Sequence, residues 1–503
     1  MAVKYPNQFL LFIFVAFTGM GMATVYTNMP GTIMNQYAYD MRDYFGNTYD
    51  PYKGTGGSSN NDTISAFLSS GFFIGALIGS LVTDPIFAKL GRKATIIIFT
   101  FLAGVLCALC AIPIKTAYGW VYLIVVRVVI GFPAGIIQAL TPPWISELSK
   151  PKFRGIMTVG IQLFLTFGIL LANIVAIIIN PQGGEVDFDI QTTKYWWVAF
   201  VVSAVILAIG GLLTFFMPET VGTEETPAQP SEGSATATGN SVELHATSVE
   251  LKAGGLNEGA VGDKSLHDIS FKDCFCRKDL RRCILVAFIL PTLQQFTGIN
   301  AVIMFADVMF ATLGLYNAAY VGACIICAWN VVSTIVAVPI VDRLGRRVLL
   351  FTGVLLLLAM LIPLIPIGAI QAGLGKDEKL NTGLSALLGI CIFLYILGFA
   401  AAPGPLVFTI CGEMFPEAAR VKFNSIAFAV HKITSIIVVF TFPYMKFNLA
   451  IPFGIYFVLT VILTVFTWLL VPETRGKSLE EIEAQVVNES VFTRFDMCGN
   501  VKK

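Results

Sequence analysis

The chain has 503 residues, 56% of them hydrophobic and only 13% charged, which is more apolar surface than one water-surrounded core can hide. A membrane is therefore its solvent. A formal net charge of +1 excludes a broadly basic nucleic-acid-binding surface, and the ten cysteines imply no disulfide framework, because most lie in apolar runs or basic connections.

From the N-terminus, about twelve apolar stretches reach the roughly 20 residues that a helix needs to cross hydrocarbon. They are predicted near 9–30, 64–83, 94–114, 118–141, 156–180 and 196–217, then near 283–312, 318–341, 348–370, 383–411, 423–446 and 452–471. Period-2 alternation is missing from these runs, which points to helices rather than a barrel. The first run is longer than a signal-peptide core and lacks a small-residue cleavage site, so it reads as a retained span. The connection 31–63 is rich in Asn, Gly, Ser and Tyr and ends in the sequon Asn61-Asp62-Thr63, a glycosylation candidate if it faces outward. A similar sequon at Asn488, in the C-terminal tail, shows how weak that signal is. Residues 1–218 form a first half and 219–282 a linker, rich in Gly, Ser and Thr, with a surface helix expected near 265–280. Residues 283–472 form a second half and 473–503 a tail. The expected fold class is an all-α integral membrane protein with about twelve transmembrane helices in two six-helix halves.

Lys and Arg concentrate in alternate connections, and the positive-inside rule makes these, with both termini, cytoplasmic. Three landmarks recur in the same order: "KLGRK" at 89–93 and "DRLGRR" at 342–347, a Glu followed by Arg at Glu147 and Arg154 and again at Glu413 and Arg420, and "PET" at Pro218 and Pro472. This is an internal duplication in parallel orientation, an arrangement in which solute binds between the halves near the bilayer midplane. The repeated charges either anchor the helix ends or form ion pairs that close the inner mouth. Arg92, Glu147, Arg154, Asp342, Arg346, Glu413 and Arg420 are the candidates, each exposed pair contributing about 0.2–1 kcal/mol.

The stretches "RVVIGFPAG", "PPWISELSKPKFRG", "QLFLTFGIL", "QQFTGIN", "VDRLGRR", "PGPLVFTICGEMFP" and "VPETRGKSLEEIE" together resemble the sugar porter family of the major facilitator superfamily, which includes facilitative glucose transporters. The resemblance covers nearly the whole chain. It implies that Gln162, Gln294, Gln295, Asn300 and Asn330 hydrogen-bond sugar hydroxyls. Amides suit that task because they donate and accept without placing an unpaired charge in the membrane. Phe408 stands where the family usually has Trp, offering an apolar face to a sugar ring. Gly298, inside "QQFTGIN", is expected to weaken its helix and aim several polar groups at one cavity.

The chain also departs from the family pattern. Ala23 stands where an acid is usual, leaving Asp307 as a carboxylate in the seventh span. His431 and Lys432 replace an Asn-Trp pair in the eleventh. Lys432 lies on the order of 14 Å along that span, where a charge must find water or an anion. Two readings stay open: the ammonium snorkels to a hydrated cavity mouth and the solute is neutral, or it adjoins the binding cavity and favours an acidic sugar or another organic anion. The resemblance implies passive uniport of a hexose such as glucose by alternating access. The alternatives are a porter of another small polar or anionic solute, or a non-transporting sugar sensor. It implies no enzymatic activity, cofactor or metal, and partners limited to a sugar and the lipid bilayer. A monomer in the plasma membrane is expected.

Overall fold

The computed structural model describes residues 6–27, 59–112, 119–150, 153–179, 197–218, 274–275, 280–306, 319–373, 380–415 and 419–473. The first half comprises α1 (Gln8–Thr27), α2 (Ser59–Leu81), α3 (Thr83–Leu90), α4 (Arg92–Cys110), α5 (Gly119–Leu148), α6 (Arg154–Ile179) and α7 (Trp197–Thr214). The second comprises α8 (Arg281–Phe296), α9 (Ile299–Met304), α10 (Ala319–Leu344), α11 (Arg346–Gly373), α12 (Thr382–Ala401), α13 (Pro403–Met414), α14 (Arg420–Met445) and α15 (Ala450–Leu470). Among the described residues, ten apolar segments are long enough to cross a membrane, α2 and α3 add a pair bent by 54°, and the shorter apolar stretch Val321–Ala337 lies in α10. These fill the twelve expected positions. Large apolar side chains such as Ile178, Leu355 and Val458 remain exposed, as lipid-facing surfaces require.

One sequence expectation, the weakening of the seventh span at Gly298, is met, and two others are corrected. The predicted span 283–312 is broken between α8 and α9, where Gly298 adopts φ +86°, a left-handed conformation that costs a residue with a Cβ about 1–2 kcal/mol. The predicted span 383–411 is broken at Ala402, just before Pro403 and Pro405, whose rings remove backbone donors. The sequon at Asn61 falls in the first turn of α2 rather than in a loop, because that helix begins at Ser59. The expected surface helix near 265–280, apart from Cys274, Phe275 and Leu280, lies outside the described residues, as do Asp307 and the tail beyond Glu473.

The packing repeats as the sequence does. In the first half α1 packs on α6 and α7, α2 on α5, and α4 on α5 and α7; in the second α8 packs on α14 and α15, α10 on α12, and α11 on α12 and α15. The repeated Leu-Gly-Arg phrase builds the same turn twice, with Gly91 at φ 78° and Gly345 at φ 90° between consecutive helices. The second "PET" motif explains its own presence there. Its Glu473 carboxylate accepts from the backbone N–H groups of Arg346 at 3.0 Å and Arg347 at 3.1 Å, capping α11 where orphan donors and the helix dipole favour an anion.

The halves meet along two seams, α2 against α14 and α6 against α10. On the first, Tyr444 donates to Thr63 Oγ1 at 3.0 Å, the Phe67 and Phe440 rings meet at 5.3 Å, and Lys422 approaches Asp84 at 4.0 Å at the opposite, basic end. Burial raises the Asp84 pKa, and Lys422 only partly pulls it back. Desolvation therefore outweighs this long ion pair. A carboxyl whose pKa is higher when packed supports the packed state below its ordinary value and loses that contribution as pH rises through the raised one. Asp84→Asn should then leave the basic-side mouth as closed as before, whereas Lys422→Ala leaves a half-buried carboxylate without that ion pair and should open it. Labelling of Gly412→Cys from that side by a membrane-impermeant thiol reagent checks both; Gly412 has open space for the new side chain. Equal labelling in the two variants would contradict the asymmetry.

Candidate functional site

A single cavity between the halves is lined by all eight residues singled out from the sequence: Gln162, Gln294, Gln295, Asn300, Asn330, Phe408, His431 and Lys432. They come from α6, α8, α9, α10, α13 and α14, so neither half alone builds the wall.

The break between α8 and α9 places three of these amides. Gln294 donates to the carbonyls of Pro403 and Gly404, both at 3.0 Å, which ties α8 to the start of α13. Those contacts use its amide hydrogens, while Gln294 Oε1 is buried without a partner. Asn300 donates to Gln295 Oε1, and Gln295 Nε2 lies 2.5 Å from His431 Nε2. With that amide orientation His431 accepts at Nε2, so its proton sits on Nδ1, which has no partner. Asn330 Oδ1 is a second buried acceptor without a partner. Among the described residues the wall thus presents two unsatisfied amide acceptors, one unsatisfied imidazole donor and the unsatisfied hydroxyl of Thr18. A buried unmade hydrogen bond costs about 1–3 kcal/mol, and a polyol entering the cavity can remove that cost.

Phe408 is not a free platform. It stacks on Phe428 at 4.2 Å with only 7° between planes and sits 5.3 Å from the His431 ring, so an aromatic pair closes this part of the wall. Gln162 lies against Gly404, across from the C-terminal half. Lys432 is 4% exposed, which excludes snorkelling to a hydrated mouth in this conformation, and its ammonium is 5.8 Å from the Phe73 ring centroid on α2. A lysine at mid-helix costs roughly 2.5–3.5 kcal/mol to insert, so its position on the cavity wall needs a compensating group.

The proposed inner-mouth charges are only partly brought together. Arg346 pairs with Glu413 at 3.5 Å. Both belong to the second half, so rocking the halves as rigid bodies would not separate them. Arg420 donates from Nε to the Phe415 carbonyl at 3.3 Å, and the Arg92 guanidinium lies 5.7 Å from the Phe87 ring. The side chains of Glu147, Arg154 and Asp342 lie outside the described residues. Sequence reasoning missed Asp84 as a contact between halves and Gln138 as a cavity amide. Gln138 could have been flagged as a single amide inside the apolar helix α5.

Two bundles of like packing that enclose a largely apolar cavity set with amides at their seam define a major facilitator type of membrane transporter. The chain belongs to the family described as "Sugar (and other) transporter", whose profile matches residues 11–486. It is 29% identical over 467 residues to Sugar transport protein 7 of Arabidopsis thaliana, covering 88% of this chain and 83% of that protein. It is 27% identical over 437 residues to the solute carrier family 2 facilitated glucose transporter member 5 of Equus caballus, covering 86% and 81%. Among solved structures, the proton:xylose symporter XylE bound to 6-bromo-6-deoxy-D-glucose superposes with a TM-score of 0.68 at 20% identity, covering 95% of this chain and 99% of that one. The inward open conformation of XylE from E. coli superposes at 0.61 with 21% identity, covering 94% and 99%. These structures establish the fold. The relatives named are transporters and not enzymes, and this chain is a multi-pass membrane protein of their family.

Proposed function

We propose that the protein carries a hexose such as glucose by uniport, the two halves alternating the cavity's access between the sides of the membrane. One observation supports this above the rest: the unsatisfied acceptors Gln294 Oε1 and Asn330 Oδ1 share one cavity with the remaining amides and the Phe408 pair. Sugar hydroxyls donate and accept in the same small volume, and a ring face completes the match. In this reading residues 219–282 link the halves, the chain acts as a monomer in the plasma membrane, and the basic connections face the cytoplasm. Truncating Gln294 to Ala removes one acceptor and frees two carbonyls, so the half-saturation concentration for hexose should rise about threefold to tenfold. Counterflow of labelled hexose in liposomes measures it, and an unchanged value with normal insertion would remove Gln294 from the site.

Uniport is the finer part of the proposal, since one relative by fold is named a proton symporter. Ala23 lines the cavity where the family resemblance places an acid, and among the described residues no Asp or Glu lines it. Coupling to protons needs a group on the path that exchanges one, which buried carboxylates do. An imposed pH gradient should therefore not concentrate hexose inside liposomes. Accumulation above the external concentration would replace uniport with symport and point to Asp307.

A further inference from the structure

We propose that Lys432 forms an anion subsite in the cavity and that the transported class includes hexuronates, sugars carrying a carboxylate. The inference rests on the reading that this cavity takes a hexose-sized polyol.

Lys432 stands twelve residues into α14, about 18 Å along it, near the middle of the helix. It is buried at the seam between halves and lines the cavity. The contact made by its ammonium is with the Phe73 face, an attraction that a cation makes and that uses none of its three hydrogen-bond donors directionally. The groups that share the wall with it are amides on α5, α6, α8, α9 and α10, hydroxyls on α1, α5 and α13, the aromatic rings and His431, with no carboxylate among the described residues. An ionisable group inside a membrane protein marks a solute path by default, and here the missing partner is an anion.

The chemistry of the remaining wall narrows which anion. Gln294 Oε1 and Asn330 Oδ1 are unsatisfied acceptors, so they need a donor. A simple inorganic or short carboxylate anion satisfies Lys432 and leaves both oxygens bare. A neutral hexose donates to the oxygens but offers the ammonium only uncharged hydroxyl acceptors, leaving its charge without a counter-ion. A hexuronate does both, with ring hydroxyls donating to the amides and its carboxylate accepting from Lys432 in a charge-assisted hydrogen bond.

The test uses the full-length protein in liposomes at pH 7. Counterflow of labelled hexose and of labelled hexuronate is measured, with unlabelled hexuronate and its neutral uronamide as competitors. The uronamide has the same shape without the charge. Wild type should exchange hexuronate, which should compete at least about tenfold more strongly than the uronamide. Lys432→Gln should bring that ratio within about threefold of unity, and Lys432→Arg should keep it. Equal competition by the two compounds in wild type overturns the proposal without needing a variant, as does a ratio that survives Lys432→Gln. Hexose exchange without hexuronate exchange overturns the anion subsite and leaves the hexose reading standing. Hexuronate exchange without hexose overturns neutral hexose transport alone, and exchange of neither overturns both.

Discussion

Leucine at Gly135 should leave no folded protein to purify. A Cβ at Gly135 would lie 2.1 Å from the Ala76 carbonyl oxygen, one at Gly131 would lie 2.1 Å from that of Phe72, and one at Gly75 would lie 1.8 Å from that of Val128. Backbone therefore meets backbone where α2 crosses α5. Small residues make such close approach possible in membranes, where van der Waals packing and not water exclusion holds helices together. Overpacking a side-chain contact costs about 1–3 kcal/mol, and here the colliding atoms belong to peptide groups that cannot change rotamer. The helices must separate, and α2 carries Phe73 while α5 carries Gln138, so the cavity wall moves with them. Gly135→Ala should insert but melt at lower temperature, and Gly135→Leu should lose the monodisperse peak on size exclusion in detergent. A leucine variant that purifies with wild-type melting behaviour would show that the seam yields.

What was legible in the sequence follows the range of the interaction involved. Spans are read from local apolar length, so the helices appear close to their predicted positions. The repeated Leu-Gly-Arg phrase was visible as a duplication, and its turn geometry follows from glycine at positive φ. The amides were named by the family resemblance, and one cavity gathers them. The Asp84 and Lys422 approach was not legible, since the residues lie in different halves and only the α2–α14 seam joins them. Nor was the double duty of Gln294. Its donors go to carbonyls of Pro403 and Gly404 that lie just past the break at Ala402, and "AAPGP" alone does not reveal which helix would approach that break. Sequence also left Lys432 between two placements, and burial at the seam chooses the cavity.

Gly298→Ala should insert normally and lose at least about a hundredfold in hexose uptake, equivalent to roughly 2.7 kcal/mol. Two costs combine. The first is the left-handed conformation at φ +86°, which a Cβ penalises by about 1–2 kcal/mol. The second is collision, since that Cβ would sit 2.2 Å from Tyr456 Cδ2, and the ring is buried on α15. Neither cost can be relieved by a small shift, because the break is fastened on several sides. Tyr395 donates to the Thr297 carbonyl at 2.5 Å, Thr297 donates to the Gln294 carbonyl at 2.7 Å, and Thr460 donates to the Phe296 carbonyl at 3.2 Å. These hydroxyls take up carbonyls at the interruption, as buried backbone acceptors require. If alanine straightens the segment, α9 turns, Asn300 leaves Gln295, and the hydrogen-bond chain to His431 comes apart. Insertion survives because α8 keeps its apolar face and its packing on α14 and α15. The double variant Gly298→Ala with Tyr456→Ala separates the two costs. Partial recovery of uptake assigns the larger share to collision, and no recovery assigns it to the backbone. Wild-type uptake in Gly298→Ala alone would mean that the break in α8–α9 does not position the site, and the amide geometry derived from it would fail as the basis of sugar binding.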